Sequence, residues 1–272
     1  MKTKPTISVI VPTFNREKTI ERAIRSVCCQ TYAPMEIIII DDGSSDGTSQ
    51  RVQEIGDNRI VYHALPENRG VSFARNTGAS MAKGEWIAFQ DSDNAWHKDK
   101  LEKQMDYAMK HPGYHLIYSS FLMHRLNGEE VIVPNEGFYG EREGNLFETI
   151  LVNNVIDAPT MLMKKTSFER LGGFRTDFRC IEDWDLALRY SRNEPVGYVE
   201  EVLMDAYQTA GGVSSQPAAF YQCRCQMIAE NREELLQRNL FDLVVKTLFE
   251  NAQRAGVLPI VQKMLSLMLA QK

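Results

Sequence analysis

The sequence predicts a doubly wound α/β fold, in which helices flank a mostly parallel β-sheet. Short β-branched runs alternate with segments of helical periodicity over roughly the first 95 residues, the order expected of successive β-α-β units. One of these runs, Glu36–Ile40, contains four consecutive isoleucines. A run that is so short and so continuously apolar indicates a central parallel strand buried on both faces.

The first half of the chain is predicted to supply four strands and three helices in alternation. The strands are expected at Ile7–Val11, Glu36–Ile40, Arg59–His63 and Glu85–Phe89. The helices are expected at Glu17–Gln30, Asp46–Ile55 and Val71–Ala82. Asn15 is placed to cap the first helix. Because crossovers between parallel strands are right-handed, these units predict one sheet with helices packed on it.

The rhythm changes after Trp96, and the second half is predicted to be smaller, mixed and partly antiparallel. Helices are expected at Lys98–Lys110 and Ile181–Arg192. Extended segments are expected at His115–His124, Glu130–Val133, Met161–Lys164 and Val196–Asp205, with an Asn127-Gly128 turn. Ala210–Pro217 is rich in Gly, Ser and Pro and predicts a loop. The remainder, Ala218–Lys272, has a helical pattern broken at Gly256 and Pro259.

Composition and charge exclude several classes of protein. The 36 acidic and 31 basic residues give a net charge of -5, so no basic field is available to bind a nucleic acid. The five cysteines lack the spacing of a zinc site, which indicates reduced and mostly buried thiols. No signal peptide precedes the first strand and no apolar run is long enough to span a membrane, so we expect a cytoplasmic protein.

Polar residues follow three of the predicted strands, at the sheet edge where α/β proteins bind ligands. Pro12-Thr13-Phe14-Asn15 ends the first strand, Asp41-Asp42 ends the isoleucine strand, and Asp91-Ser92-Asp93 ends the fourth. Carboxylates at adjacent strand ends suit Mg²⁺ or Mn²⁺. The alternative is that these aspartates only cap the helices that follow.

A second acidic group, Glu182-Asp183-Trp184-Asp185, opens a later helix. A carboxylate there could act as a general base, but acidic residues are also common in the first turn of helices for electrostatic reasons. Trp184 could stack on a sugar ring or belong to the core. The sequence alone leaves both alternatives open.

Taken together, these motifs resemble those of the family 2 glycosyltransferases over roughly residues 5–205. The matching segments are Pro12-Thr13-Phe14-Asn15, Asp41 to Thr48, Asn68-Arg69-Gly70, Ala74-Arg75-Asn76, Asp91-Ser92-Asp93, Gly172-Gly173-Phe174 and Glu182-Asp183-Trp184. The resemblance implies a GT-A fold and an inverting, metal-dependent transferase. It also implies a glycosyltransferase domain at 1–215, with a nucleotide-binding half at about 1–95 and an acceptor-binding half at about 96–215. A helical extension at 216–272 completes the predicted organisation.

The resemblance also implies roles for individual residues. Pro12 and Asp42 would contact the nucleotide base, usually uracil, with Thr13 alongside and Arg75 near the base or phosphates. Asp91 would lie near the ribose or donor sugar, Asp93 would hold Mn²⁺ or Mg²⁺, and Asp183 would deprotonate the acceptor hydroxyl. The other residues expected to bind nucleotide or substrate are Asn15, Ser92, Gly173, Glu182 and Trp184.

The expected substrates are a nucleotide-diphosphate sugar, with a UDP-sugar as the expected donor, and a saccharide or lipid-linked acceptor of a bacterial polysaccharide or glycoconjugate. No Q-x-x-R-W motif occurs, so one hexose-type sugar should be added at a time. Asn94 stands where many relatives have a third Asp, and Tyr207-Gln208-Thr209 replaces a more basic segment. The alternatives are a non-catalytic nucleotide-sugar-binding or scaffold protein and a D-x-D phosphotransferase.

The apolar tail from Val257 to Ala270 covers more than one face of its helix and must be buried somewhere. It could pack on the rest of the chain, pair with a second copy, or rest on a membrane surface. Peripheral membrane contact and homodimerisation through the C-terminal helices are therefore both retained as expectations.

Overall fold

A computed structural model of the chain describes residues 4–135, 140–209 and 217–270. Its strands are β1 (Ile7–Thr13), β2 (Glu36–Asp41), β3 (Ile60–Ala64), β4 (Trp86–Phe89), β5 (Ala95–Trp96), β6 (Leu116–His124), β7 (Glu130–Val133), β8 (Leu162–Lys164) and β9 (Gly197–Tyr207). The helices are α1 (Ile20–Cys28), α2 (Thr48–Glu54), α3 (Val71–Met81), α4 (Lys100–Lys110), α5 (Phe147–Val152), α6 (Lys165–Arg170), α7 (Glu182–Ser191), α8 (Pro217–Glu230), α9 (Arg232–Gln237), α10 (Phe241–Arg254) and α11 (Leu258–Ala270).

The strands form one sheet in the order β3-β2-β1-β4-β8-β6-β9-β5, with β7 paired to β6. The first four strands pair in parallel, as the sequence predicts. Alternate isoleucines of β2 enter opposite apolar clusters: Ile38 and Ile40 join one, and Ile37 and Ile39 join the other. The prediction of a strand buried on both faces is confirmed.

The second half is mixed, as expected. Strand β8 continues the sheet by pairing antiparallel with both β4 and β6, whereas β6 and β9 are parallel. The two-residue strand β5 and the six-residue helices α5 and α6 were not predicted. Elements of this length span fewer than two periods of their structure, too few to give a recognisable pattern in the sequence, and tertiary packing determines them.

The expected N-cap of the first helix is wrong. Helix α1 begins at Ile20, and Thr19 occupies its N-cap position without a side-chain cap. Asn15 instead adopts a positive φ of 52°, and its side-chain oxygen accepts a hydrogen bond from the Ser45 backbone N–H at 2.9 Å. The Asn15 side chain therefore ties the end of β1 to the loop after β2.

The apolar tail packs on the rest of the chain. Val261 and Leu265 of α11 are buried against the core, whereas Ile260 and Leu267 on the same helix are 52% and 56% exposed. Within the described residues, no helix is long and apolar enough to cross a membrane. The five cysteines are free, and Cys180, Cys223 and Cys225 are buried. Of the predicted loop Ala210–Pro217, residues 210–216 lie outside the described residues, and Pro217 is the first residue of α8.

Candidate active site

The candidate site begins at the sheet edge formed by the ends of β1 and β2. Thr13 pairs in register with Asp41, and the backbone N–H of Asp42 donates to the Thr13 carbonyl at 2.8 Å. The Asp42 carboxylate accepts hydrogen bonds from the backbone N–H groups of Arg69 and Gly70, both at 2.8 Å. Asp42 therefore fixes the loop that leads into α3. The sequence predicted only a contact between Asp42 and the nucleotide base.

Thr13 contributes an unsatisfied polar group to this edge. Its side chain is buried, and its hydroxyl oxygen Oγ1 has no hydrogen-bond partner within the described residues. A buried hydroxyl without a partner is costly, so such a group in a cleft is a good candidate for contact with a ligand. Pro12 lies beside it and is also buried.

Arg75 is the centre of the site's charge network. Arg75 is only 4% exposed. Its guanidinium donates hydrogen bonds to the Asp91 carboxylate at 2.7 Å and to the Glu182 carboxylate. Helix α3, the end of β4 and the start of α7 thereby meet at one cation. The sequence predicted all three residues in the site, although it did not predict that they form ion pairs with one another.

Asp93 is available for a cation. Its carboxylate lies 3.6 Å from Arg16, a loose ion pair, and Arg22 donates to its backbone carbonyl. Burial and the neighbouring Asp91 charge raise the pKa of Asp93. A positive charge near the carboxylate would oppose both effects.

The donor set fits a Mg²⁺ or Mn²⁺ ion shared with a substrate. No cluster of three or more His, Cys, Asp or Glu side chains with metal-binding geometry occurs in the described part of the chain. Mg²⁺ is commonly bound by one or two carboxylates, with substrate phosphates supplying further oxygens. The residues at the end of β4 fit that arrangement and do not fit a closed, all-protein metal cage.

Asn94 is held between the two halves of the sheet. Its side-chain oxygen accepts from the Tyr207 backbone N–H at 3.1 Å, and its amide nitrogen lies 3.5 Å from the Asp91 carboxylate. An aspartate could accept from Tyr207 but could not donate to Asp91. This departure from the family pattern therefore has a structural explanation.

Asp183 lies in the first turn of α7, next to Glu182. Its carboxylate accepts hydrogen bonds from the backbone N–H groups of Ala158 at 3.2 Å and Trp184 at 2.7 Å. Burial, with the nearby charges of Glu182 and Asp157, raises the pKa of Asp183 well above its usual value. A carboxylate with a raised pKa is a stronger base once ionised, which suits proton abstraction.

Asp157 is a residue of the site that the sequence motifs do not include. It precedes the short 3-10 helix Ala158–Thr160, and Asn154 donates to its carboxylate at 3.3 Å. Burial, Asp91 and Glu182 raise its pKa to about 6. Asp157 belongs to an irregular segment that follows no predicted strand, so no sequence signal could have located it.

The glycine pair before α7 requires glycine at its second position. Gly173 has a φ of 74°, and a Cβ there would lie 2.5 Å from the Asn76 side-chain oxygen. The Asn76 side chain accepts from the Phe174 N–H at 2.9 Å and donates to the Phe174 carbonyl at 2.7 Å. This turn is thereby fixed against α3, next to Arg75.

Trp184 lies in the core. It is 7% exposed, and its indole N–H donates to the Ile150 carbonyl at 2.6 Å. Of the two interpretations of Trp184, the structure favours core packing over stacking on a sugar, because little of the ring is accessible. Ser92 is also buried, whereas Asn15 is exposed at the rim.

Curated proteins similar to this chain are named glycosyltransferases. The chain is 35% identical over 164 residues to the putative teichuronic acid biosynthesis glycosyltransferase TuaG of Bacillus subtilis, covering 60% of this chain and 63% of TuaG. It is 43% identical over 104 residues to WfgD of Escherichia coli, a UDP-Glc:alpha-D-GlcNAc-diphosphoundecaprenol beta-1,3-glucosyltransferase, covering 38% and 41% of the two chains. The chain thus spans less than two thirds of the length of each relative.

Solved structures share the fold at low sequence identity. S. aureus TarS 1-349 in complex with UDP-GlcNAc superimposes with a TM-score of 0.76 at 22% identity, over 98% of this chain and 80% of that one. The mannosyltransferase PcManGT from Pyrobaculum calidifontis, in complex with GDP-Man and Mn²⁺, gives a TM-score of 0.65 at 20% identity, over 100% and 77%. These neighbours confirm the predicted GT-A fold.

The family assignment rests on a match over most of the sheet and the cleft. The model of the family described as glycosyl transferase family 2 matches residues 8–172, which include Thr13, Asp42, Arg75, Asp91 and Asp93. This match covers more than half of the chain and ends shortly before α7. The chain belongs to glycosyl transferase family 2.

Proposed function

We propose that this chain is an inverting glycosyltransferase that moves one sugar from a UDP-sugar to a hydroxyl group of a saccharide or lipid-linked acceptor. The observation that carries the proposal is that Arg75 pairs with both Asp91, which follows β4, and Glu182, which begins α7 and precedes Asp183. Asp91 and Asp93 come from the end of β4, and Asp183 comes from the start of α7. Together they provide a donor-binding edge and a separate candidate base.

The donor is proposed to bind at the ends of β1 and β2. Pro12, Thr13 and Asp42 would contact the base, with the Thr13 hydroxyl, unpartnered within the described residues, available to it. A UDP-sugar is supported by the TarS complexes with UDP and UDP-GlcNAc and by the UDP-Glc donor for which WfgD is named. Asp91, already paired with Arg75, would receive the ribose or the donor sugar.

Asp93 is the residue proposed to hold a divalent cation. When bound, such an ion offsets the negative charge that develops on the departing diphosphate. A Mn²⁺-containing complex of the neighbour PcManGT supports this assignment. Asp93 would hold this ion, and Arg16 lies 3.6 Å from the same carboxylate.

Asp183 is proposed to take the proton from the acceptor hydroxyl as its oxygen attacks the anomeric carbon. In a single displacement the diphosphate leaves from the opposite face, and the anomeric configuration inverts. The two backbone N–H groups on Asp183 orient its carboxylate, and the raised pKa keeps it basic enough to accept a proton. General base catalysis of this kind typically contributes about 10²–10⁴ in rate.

The acceptor is proposed to belong to a bacterial cell-surface glycan. TuaG is named for teichuronic acid biosynthesis, and WfgD for an acceptor on diphosphoundecaprenol. The exposed apolar residues Ile260 and Leu267 of α11 would suit contact with the membrane surface that carries such a lipid.

The decisive experiment is a screen of UDP- and GDP-sugars for Mn²⁺-dependent hydrolysis, followed by NMR of the product formed with a saccharide acceptor. We expect turnover with a UDP-sugar and a product whose anomeric configuration is opposite to that of the donor. Tight donor binding without hydrolysis or transfer would instead identify a non-catalytic nucleotide-sugar-binding protein. Retention of configuration would contradict the inverting mechanism.

A further inference from the structure

Arg224 is a buried cation outside the cleft. It lies on α8 and is 5% exposed, with its guanidinium 4.0 Å from the centre of the Trp184 ring. Its Nη2 donates to the carbonyls of Leu151 at 2.6 Å and Val152 at 3.1 Å, at the C-terminal end of α5. The helix end supplies only a partial negative charge to this arginine.

No carboxylate pairs with Arg224 in the part of the chain that the structure describes. The other deeply buried arginine, Arg75, is paired with two carboxylates. Burial lowers the pKa of Arg224 to about 9, because its positive charge is only weakly offset. A buried charge without a counter-ion is costly, so an anion bound beside it would be stabilising.

A cavity of about 40 Å³ lies beside Arg224, between α5, α8 and α10. Because one water molecule needs roughly 10–15 Å³ of such a cavity, there is room for about three water molecules. This volume is close to the size of a carboxylate or phosphate group. Val152 and Leu248 form apolar parts of its wall, and Tyr221, Asn153 and Asn251 form polar parts. Asn251 is exposed, so the cavity reaches the surface.

Three polar side chains in this wall are available to a ligand. Across residues 4–135, 140–209 and 217–270, the structure records no hydrogen bond from the Tyr221 hydroxyl or from the side-chain amides of Asn153 and Asn251. Each of these groups can donate to an anion. Together with Arg224 they form a set of donors around one small volume.

We propose that this cavity is an anion-binding site that takes a phosphate or carboxylate group. Trp184, which follows Asp183 directly in the sequence, lies against the Arg224 guanidinium. The site therefore lies behind the helix start that carries the candidate base. The ligand would enter from the surface at Asn251, as a small molecule that carries a phosphate or carboxylate group.

The test is calorimetric titration of the full chain with inorganic phosphate, methyl phosphate and acetate, in metal-free buffer at constant ionic strength. We expect phosphate and methyl phosphate to bind the wild type. The double variant Tyr221→Phe/Asn251→Ala removes two donors while leaving the packing of Arg224 intact, and should weaken binding by about tenfold or more. Gln253→Ala, an exposed change on the same helix, should leave the affinity unchanged.

Equal affinity in the wild type and the double variant, or no binding to the wild type, would overturn the site. Binding of free phosphate without methyl phosphate or acetate would overturn the assignment of the site to molecules that carry a phosphate or carboxylate group. Donor hydrolysis with Mn²⁺ does not depend on this cavity. Turnover without anion binding would therefore reject only this inference, and anion binding without turnover would reject only the proposed transferase.

Discussion

Arg75 and Glu182 form a buried ion pair that joins α3 to the first turn of α7 across 107 positions of sequence. The pair holds the first half of the chain, whose strands are followed by Asp42, Asp91 and Asp93, against the helix that carries Asp183. The same guanidinium also holds Asp91. Arg75 therefore links the candidate donor-binding residue Asp91 directly to the helix that carries the candidate base.

Replacing Arg75 with Met should destabilise the fold strongly. The substitution leaves Asp91 and Glu182 without their cation, and breaking a buried ion pair typically costs about 3–5 kcal/mol. Urea denaturation measures this free energy of unfolding. Arg51→Met, which breaks an exposed pair with Glu54, should change it by less than about 0.5 kcal/mol.

A double-mutant cycle tests whether the two groups act as a pair. Arg75→Met combined with Glu182→Gln should be less destabilised than the sum of the two single variants, because no uncompensated Glu182 charge remains. Strict additivity would show that the pair does not contribute to stability as a unit.

Replacing Asp183 with Asn should abolish transfer while leaving donor binding unchanged. The amide cannot accept the acceptor proton, so the rate should fall by about 10²–10⁴ or more, whereas the affinity for UDP should stay within about twofold. Steady-state kinetics and calorimetry measure the two quantities. Asp242→Asn, an exposed first-turn aspartate on α10, serves as the control. Near-wild-type turnover by the Asp183 variant would remove Asp183 from the mechanism.

The fold and the positions of several candidate-site residues could be predicted from the sequence for a physical reason. Strands buried on both faces leave continuous apolar runs, and the residues at their ends must line the same edge of a parallel sheet. Asp42, Asp91 and Asp93 could thus be assigned to one cleft from the strand pattern alone. Their individual partners could not, because Arg75 meets Glu182 only through the fold.

The parts that were missed depend on irregular backbone or short elements. Asp157 enters the site from a segment without periodicity, and β5 contains only two residues. Asn15 has a residue type common at helix N-caps, yet its positive φ turns its side chain toward Ser45 instead. In each case a long-range contact outweighed the local preference.

Replacing Asp93 with Ala should separate the metal-dependent part of donor binding from the rest. In the presence of Mn²⁺ we expect the affinity for UDP to fall by about tenfold or more. Without Mn²⁺ the variant should bind UDP at least as tightly as the wild type, because a negative charge near the diphosphate has been removed. Calorimetry with and without Mn²⁺ checks both statements. Asp106→Ala, an exposed change on α4, should alter neither affinity; an unchanged Mn²⁺ effect in the Asp93 variant would place the ion elsewhere.

Asp157 should make the protein less stable as the pH rises from about 4 to 6. Its pKa is raised to about 6 in the folded chain, above the unfolded value of about 3.9, so the folded state binds the proton more tightly over this interval. Stability is lost as the folded carboxyl ionises. Asp157→Asn, which cannot ionise, should therefore be more stable than the wild type by on the order of 1–3 kcal/mol at pH 7.5, with little difference at pH 4.

Denaturation at a series of pH values measures this difference. Asp177→Asn is the control of opposite sign, since hydrogen bonding to Arg175 lowers the pKa of Asp177. Its carboxylate is ionised in both the folded and unfolded states above about pH 5, so the difference between that variant and the wild type should stay constant from there upward. A pH-independent effect of Asp157→Asn would contradict the raised pKa.

The outer face of α11 gives the last prediction, which concerns membrane contact. Ile260 and Leu267 are more than half exposed, and burying each in a lipid interface would contribute up to about 1.5–3 kcal/mol. Ile260→Glu/Leu267→Glu should therefore reduce cosedimentation with lipid vesicles by about tenfold or more. Gln262→Glu/Ser266→Glu adds the same charge at exposed polar positions of the helix and should reduce it much less. Equal binding of both double variants to vesicles would exclude an apolar contact with the membrane. Loss of a concentration-dependent dimer in the Ile260→Glu/Leu267→Glu variant would instead identify a second copy of the chain as the partner of this face.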